Sequence, residues 1–361
     1  MDICSQVKVA FVAYNAPQSS MLPSRRALLA LTPAAVSFSR AQASDQTASV
    51  DRYWKYDCRG LEAEIQRAFE DLPQRKSFKI WAPPSRRGPE FLAQLHGNER
   101  FFSASANKAY ILCERLRQLD SPDVEEKLVT HKLNLDQNVW SIGSPVFNPP
   151  NLTGIISEET AMEAMISHSD NTATDMILRE AGAEKVRKFI AAIGLKHTMI
   201  PDSTRALAGY LFGAPNYKTL TWEELLSWLG ESFVHPALND VETFASSADD
   251  FVSFYARALQ GRFFRDPQTL RQFRRILLLG DITDLVQFPI GMSVFGKAGY
   301  FDSPGQHARC IAGGMYFPDR WVYFATILNW DNPEVDDPET VTAYFRATRR
   351  AIRLVKSALG R

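Results

Sequence analysis

Three strand-like runs lie close together near the C-terminal end of the chain, at 293–301, 308–317 and 321–330, separated only by short Gly, Pro and Asp turns. Links this short cannot hold crossover helices, so the runs must pair antiparallel, as a meander. Two more short candidates, 79–82 and 91–95, flank a Pro/Arg/Gly turn at 83–89. The chain between about 105 and 278 is mostly helical in pattern. A helix is expected over 60–72, where Leu61, Ile65, Ala68, Phe69 and Leu72 share one side. Another is expected over 339–359, with Val341, Tyr344, Phe345, Ile352, Val355 and Leu359 at helical spacing and its arginines on a solvated face. The order helix, strands, helical block, strands, helix predicts an α/β chain of the α+β kind. One sheet is completed by both chain ends, and a helical subdomain is inserted between them.

With 45% apolar residues in 361, the chain can bury a sizeable core and is not disordered. Its 41 basic residues balance 41 acidic ones, which gives no electrostatic reason to expect nucleic acid or an anionic membrane as partner. Residues 21–43, MLPSRRALLALTPAAVSFSRAQA, have the layout of a secretory leader: Arg25-Arg26, a short apolar stretch, then Ala41-Gln42-Ala43. The paired arginines suggest the twin-arginine type. An amphipathic helix is the competing reading, and Pro23 and Pro33 argue against it. Cleavage after Ala43 is expected to leave an exported domain, 44–361, that is periplasmic or secreted. That domain is mildly acidic, since 1–43 carry Lys8, Arg25, Arg26 and Arg40 against Asp2. No later run reaches the ~18 apolar residues of a membrane span.

Of Cys4, Cys58, Cys113 and Cys310, none shows a metal-type spacing, and Cys113 and Cys310 read as small buried hydrophobes. The histidines at 96, 131, 168, 197, 235 and 307 lack metal-ligand spacing with one another. Neither a metal nor a cofactor is expected.

Three short motifs carry chemistry. Ser105-Ala106-Asn107-Lys108 opens a predicted helix, so Ser and Lys at i, i+3 share a face. A hydroxyl needs a base to become a nucleophile, and a partly desolvated Lys can be that base. The bland alternative is an exposed N-cap Ser with a surface Lys. Ser169-Asp170-Asn171 falls between predicted helices, where Ser169 could relay a proton, Asn171 bind an amide and Asp170 brace the loop. All three residue types also cap helices. Lys297-Ala298-Gly299 lies on the first strand of the meander, followed by Tyr300. A cation there could hold a substrate carboxylate, Gly299 would let backbone approach, and the Tyr300 and Ser105 N–H groups could form an oxyanion hole. Otherwise this is an ordinary strand Lys beside a turn Gly.

In the order S-x-x-K, S-D-N, K-(T)-G, these motifs make the chain resemble the class A β-lactamases and related penicillin-binding proteins. The contexts NERFFSASANK and SHSDNTATDMILREAGAEKVRKFIAAIGL extend the resemblance, which covers roughly residues 60–361. It implies the serine β-lactamase-like fold: an antiparallel sheet of about five strands flanked by helices, from about 60–104 and 290–361, with an all-α subdomain from about 105–289. It implies Ser105 as the acylated nucleophile, Lys108 as its base partner and Ser169 as proton shuttle. Asn171 becomes a substrate-amide contact and Lys297 the anchor for a substrate carboxylate. The substrate is then a small amide or ester of β-lactam or peptidoglycan type.

Two departures matter. Ala298 stands where the family usually has Thr or Ser. An ungapped match from Gly194 also puts Thr204 where a deacylating Glu is expected and Ala208 where an Asn is expected. Asp202 is the one carboxylate in IPDSTRALAGY and a weak substitute, while Glu223 and Glu224 read as a solvated helix face. Three readings follow. The first is a serine acyl-enzyme hydrolase with weak β-lactam turnover. The second is an efficient class A β-lactamase with an unrecognised deacylation base. The third is a penicillin-binding, D,D-peptidase-like or covalently trapped sensor protein. Phe251, Phe254, Tyr255 and Leu259 read as core rather than lid, and Trp140, Phe147 and Pro149-Pro150 as one rim of the cleft.

Overall fold

The computed structural model describes residues 58–317 and 319–360, so the leader read over 21–43 lies outside the described residues. The chain begins with α1 (Cys58–Ala68), β1 (Lys76–Ala82) and β2 (Phe91–Leu95). A two-residue strand, β3 (Phe101–Phe102), leads through a 3-10 turn at Ala104–Asn107 into α2 (Lys108–Gln118). Then come α3 (Val124–Thr130), a hairpin of β4 (Lys132–Leu135) and β5 (Gly154–Ser157), and α4 (Glu158–Ser167), α5 (Asn171–Ala181) and α6 (Ala183–Ala192). The next stretch holds α7 (Thr204–Phe212), α8 (Trp222–Ser227), β6 (Ala245–Ser246), α9 (Ala248–Ala258), α10 (Pro267–Leu278) and α11 (Ile282–Val286). The chain closes with β7 (Ser293–Ser303), β8 (Gln306–Phe317), β9 (Arg320–Trp330) and α12 (Pro338–Leu359).

The main sheet has five strands in the order β2-β1-β9-β8-β7. Every pairing is antiparallel; Lys76 faces Leu328 and Lys297 faces Ala312. Pairing of β1 with β9 joins the two chain ends, as the element order predicts. The strand β7 is left at an open edge. Helices cover both faces, which is why β8 and β9 are buried almost throughout instead of alternating. On one face, Ile65, Phe78, Ile311, Phe324, Tyr344 and Ile352 join the sheet to α1 and α12. On the other, Tyr110, Phe251 and Phe254 pack beneath Cys310 and Tyr323. The Tyr110 ring lies 5.4 Å from Phe251 and 4.5 Å from Phe254, which places this aromatic group in the core rather than in a lid. Cys113 and Cys310 are buried and unbonded.

The helical block departs from its sequence pattern in two places. The hairpin β4–β5 and the two-residue pairing of β3 with β6 interrupt it. Strands of two to four residues are too short to carry a legible period. The second pairing matters for the site, because β6 lies beside the segment that leads to Ser105. Ser103 donates its N–H to the Phe244 carbonyl, and the Asn107 side-chain amide donates to the Met199 and Ala245 carbonyls.

Candidate active site

The turn that carries Ser105 is shaped by its neighbours. The sequence pattern places Ser105 in the first turn of an α-helix; it lies instead in a 3-10 turn, and α-helix proper starts at Lys108. Ala104 has φ 48, in the left-handed region that side chains avoid. Such backbone costs on the order of 1–3 kcal/mol and persists only where surroundings fix it. Here Ser103 is held by Phe244 and by the Asn107 side chain, whose Oδ1 accepts from Ser103 Oγ at 2.6 Å. On the open side the turn rests on β7. A β-carbon on Gly299 would lie 2.1 Å from the Ser103 carbonyl oxygen and 3.1 Å from the Ser105 nitrogen. Only glycine allows this approach.

Lys108 is fully buried and points its ammonium at the Ser169 loop. Nζ donates to the Ser169 carbonyl at 2.5 Å and to Asn171 Oδ1 at 2.8 Å, with Ser169 Oγ at 3.3 Å. Burial, and after it the charge of Lys297, pushes its pKa well below the ordinary lysine value, against the pull of Asp170 and Asp175. That is the condition under which a lysine can act as a base at neutral pH.

The loop that meets it is also strained and braced. Ser169 has φ 57. Asp170, fully buried, caps α5 by accepting from Ala173 N–H at 2.8 Å. Its other oxygen accepts from the Val146 and Phe147 N–H groups at 3.0 and 2.9 Å. Both roles weighed from the sequence, brace and cap, therefore belong to one carboxylate. Losing such a cap costs about 0.5–2 kcal/mol. Asn171 is the first residue of α5, and its Nδ2 donates to the Ile142 carbonyl at 2.8 Å.

Lys297 is fully buried on β7, and burial lowers its pKa against the opposing pull of Asp281. Nζ lies 3.0 and 3.2 Å from the two Asp281 oxygens and donates to the Ala298 carbonyl at 2.9 Å. Asp281 precedes α11 and reaches β7 because the chain comes very close there: a β-carbon on Gly280 would fall 2.2 Å from the Gly296 carbonyl oxygen. Ala298 donates its N–H to Asp281 Oδ1 at 3.2 Å, off the open sheet edge. Alternate N–H groups of a strand point the same way, so the Tyr300 N–H also faces that edge, the direction an oxyanion hole requires. The Ala298 side chain belongs to the core on the far face of the sheet.

The remaining expectations fall elsewhere. Asp202 is ion-paired with Arg187 at 2.8 Å and Lys218 at 3.1 Å. Burial raises its pKa, yet the bonds from these cations outweigh it and leave the carboxyl below its usual value. Thr204 starts α7 and is buried; its Oγ1 donates to Ser141 Oγ at 2.8 Å and lies 3.3 Å from the Asn171 carbonyl oxygen. Ala208 is buried in a small core of its own segment with Phe212, Leu220 and Trp222. Glu224 closes a capping box on α8, and Glu223 is exposed beside it. Trp140 stacks edge-on with Trp222 at 5.8 Å, and Phe147 is buried. His168 is exposed and contacts Ser167.

Two carboxylates that the motifs do not single out, Asp281 and Asp175, belong to this neighbourhood. Asp175 accepts from the Thr204 and Arg205 N–H groups and so ties α7 to α5; burial lifts its pKa to about 6. Among the described residues, no group of three or more His, Cys, Asp or Glu side chains could hold a metal ion. None of the described helices is long and apolar enough to cross a membrane.

The five-stranded antiparallel sheet with helices on both faces is the fold of the class A β-lactamases. The TLA-3 extended-spectrum β-lactamase is 17% identical and superposes with a TM-score of 0.63, covering 83% of this chain and 99% of that one. A β-lactamase from Sphaerobacter thermophilus is 19% identical, with a TM-score of 0.60 over 84% of this chain and 98% of its own. The L158E mutant of PBP-A, as an acyl-enzyme complex with penicillin G, is 17% identical with a TM-score of 0.59, over 83% and 97%. No curated protein matches at a significant level. A family model named Beta-lactamase2 and described as the β-lactamase enzyme family matches residues 60–354, so the chain belongs to that family.

Proposed function

We propose that the protein is a serine hydrolase that cleaves a small amide or ester through an acyl-enzyme on Ser105. The observation that carries this reading is the buried Lys108 ammonium, one turn from Ser105 and hydrogen-bonded to both Ser169 and Asn171. Lys108, once deprotonated, accepts the Ser105 hydroxyl proton while Oγ bonds to the substrate carbonyl carbon. The Ser105 and Tyr300 N–H groups receive the oxyanion. Ser169 relays the proton to the leaving nitrogen or oxygen as the scissile bond breaks, and Asn171 orients the acyl amide. Water then hydrolyses the ester to Ser105.

That last step is the slow one for β-lactams in this proposal. Thr204 offers a hydroxyl where the family pattern calls for a carboxylate, and Asp202 is held by two cations. The leader at 21–43 supports export to the periplasm or medium. Intact-mass measurement with a penicillin and a chromogenic cephalosporin, beside Ser105→Ala, tests the reading. A long-lived adduct on the unaltered protein, absent from Ser105→Ala, is expected. Fast cephalosporin turnover without adduct would instead indicate an efficient β-lactamase. An adduct with no turnover of any ester or amide would indicate a trapped sensor. Identical behaviour of both proteins, with no adduct and no hydrolysis of any ester or amide, would end the catalytic reading.

A further inference from the structure

The Lys297 ammonium, which the family resemblance assigns to a substrate carboxylate, already has a carboxylate. Asp281 meets it with both oxygens at 3.0 and 3.2 Å, and the Ala298 carbonyl takes another of its donors. An ammonium has three donors, so at most one is left for a ligand. The pair is secluded: the Lys297 side chain is 0% exposed and that of Asp281 16%. In such surroundings the two charges cancel locally, and an incoming carboxylate meets the Asp281 oxygens as well as the ammonium.

Tyr300 closes on the same carboxylate: its hydroxyl donates to Asp281 Oδ2 at 3.4 Å, and the Ala298 N–H donates to Oδ1 at 3.2 Å, so Asp281 is fixed in place against the ammonium.

We infer that Asp281 is a specificity-determining, positioning residue, and that the site selects esters and amides whose leaving group is uncharged rather than the carboxylate-bearing leaving groups of β-lactams and peptidoglycan stems. This inference rests on the hydrolase reading above and names its substrate class. Asp281 acts through Lys297 and does not touch the reacting atoms. The observations that carry it are the secluded bidentate ion pair and the Ala298 N–H and Tyr300 hydroxyl that hold Asp281 against it.

The test uses two phenylacetyl esters that differ only in charge on the leaving group, 3-hydroxybenzoate against 3-hydroxybenzamide. The unaltered protein is expected to favour the carboxamide ester by at least about tenfold in kcat/KM, since a misplaced like charge is costly. Asp281→Asn should lower KM for the carboxylate ester by about tenfold with little change in kcat, and Asp281→Glu should keep the original preference. A preference of the unaltered protein for the carboxylate ester, or no shift of KM in Asp281→Asn, overturns the inference. If Asp281→Asn fails to fold, the preference of the unaltered protein still decides. If neither ester is cleaved faster than by Ser105→Ala, the hydrolase reading fails. Calorimetric affinities for 3-hydroxybenzoate and 3-hydroxybenzamide then read the charge preference alone, and tighter binding of the benzoate overturns it.

Discussion

Gly299 and Ser105 are packed backbone to backbone, with room for a hydrogen on Gly299 Cα and for nothing larger. A β-carbon there would sit 2.1 Å from the Ser103 carbonyl oxygen and 2.8 Å from the Ala106 nitrogen, and neither is the end of a flexible side chain. The contact fixes the distance between the nucleophile turn and the strand that carries the Tyr300 N–H. Gly299→Ala must push the two apart. Displacements of about 1 Å cost on the order of a hundredfold in rate. Acylation of Gly299→Ala by a penicillin is expected to slow by at least that factor while the protein still melts cooperatively. Acylation at the original rate would show that the strand does not set the oxyanion geometry.

Lys108 gives a second prediction through its displaced pKa. Burial and Lys297 hold it well below the ordinary lysine value, so kcat/KM should rise with pH as Lys108 loses its proton and level off well short of pH 10. Lys108→Arg keeps a cation that stays charged at every accessible pH. General-base loss typically costs about 10²–10⁴-fold. A fall of that size, with the rising limb of the profile gone, is the expected result in stopped-flow acylation. A profile unchanged by the substitution would assign the proton to another group.

How much of this was legible in the chain depends on the range of the forces involved. The sheet was, because three apolar runs joined by short turns have one way to pair. So were Ser105, Lys108, Ser169, Asn171 and Lys297 as candidates, because motif spacing survives without tertiary information. Asp281 was not. Its role depends on Gly280 and Gly296 letting the end of α10 lie against β7, a contact between residues sixteen apart that leaves no periodic trace. Asp175 stayed hidden for a similar reason: it lies mid-helix in sequence, yet binds the N–H groups of another helix. The turn at Ser105 is 3-10 where the motif spacing predicts α-helix, because the tertiary contacts of Ser103 and Gly299, rather than local propensity, decide it.

Thr204 makes a prediction about deacylation. Its hydroxyl sits 3.3 Å from the Asn171 carbonyl oxygen, which sets position 204 against the backbone at the start of α5. Thr204→Glu is expected to shorten the lifetime of the penicillin adduct by at least about tenfold, as a positioned general base would. It should also lower the melting temperature, because a second carboxylate arrives beside Asp175. Time-resolved intact mass measures the lifetime directly. An adduct equally long-lived in Thr204→Glu would show that position 204 does not face the acyl ester.

Glu242 links the same region to pH. Its carboxyl is buried, accepts the Asp202 N–H at 2.8 Å and lies beside the Asp202 charge; burial first and Asp202 second lift its pKa to about 7 from 4.5. The sign follows from proton counting. Between pH 4.5 and 7 the folded protein holds this proton more tightly than the unfolded chain, so folding stability from this group is fully present below 4.5 and falls as pH rises through 7. Asp175, lifted to about 6, acts in the same direction over pH 4 to 6. Carboxyls held below their usual value, such as Asp202 and Asp302, act oppositely and only in acid. Glu242→Gln removes one titration and leaves the rest. Urea unfolding at pH 5.0 and 8.0 should therefore show a smaller loss of stability on the alkaline side for Glu242→Gln than for the unaltered protein. Equal losses in the two proteins would mean that Glu242 titrates in the folded state as it does in the unfolded chain.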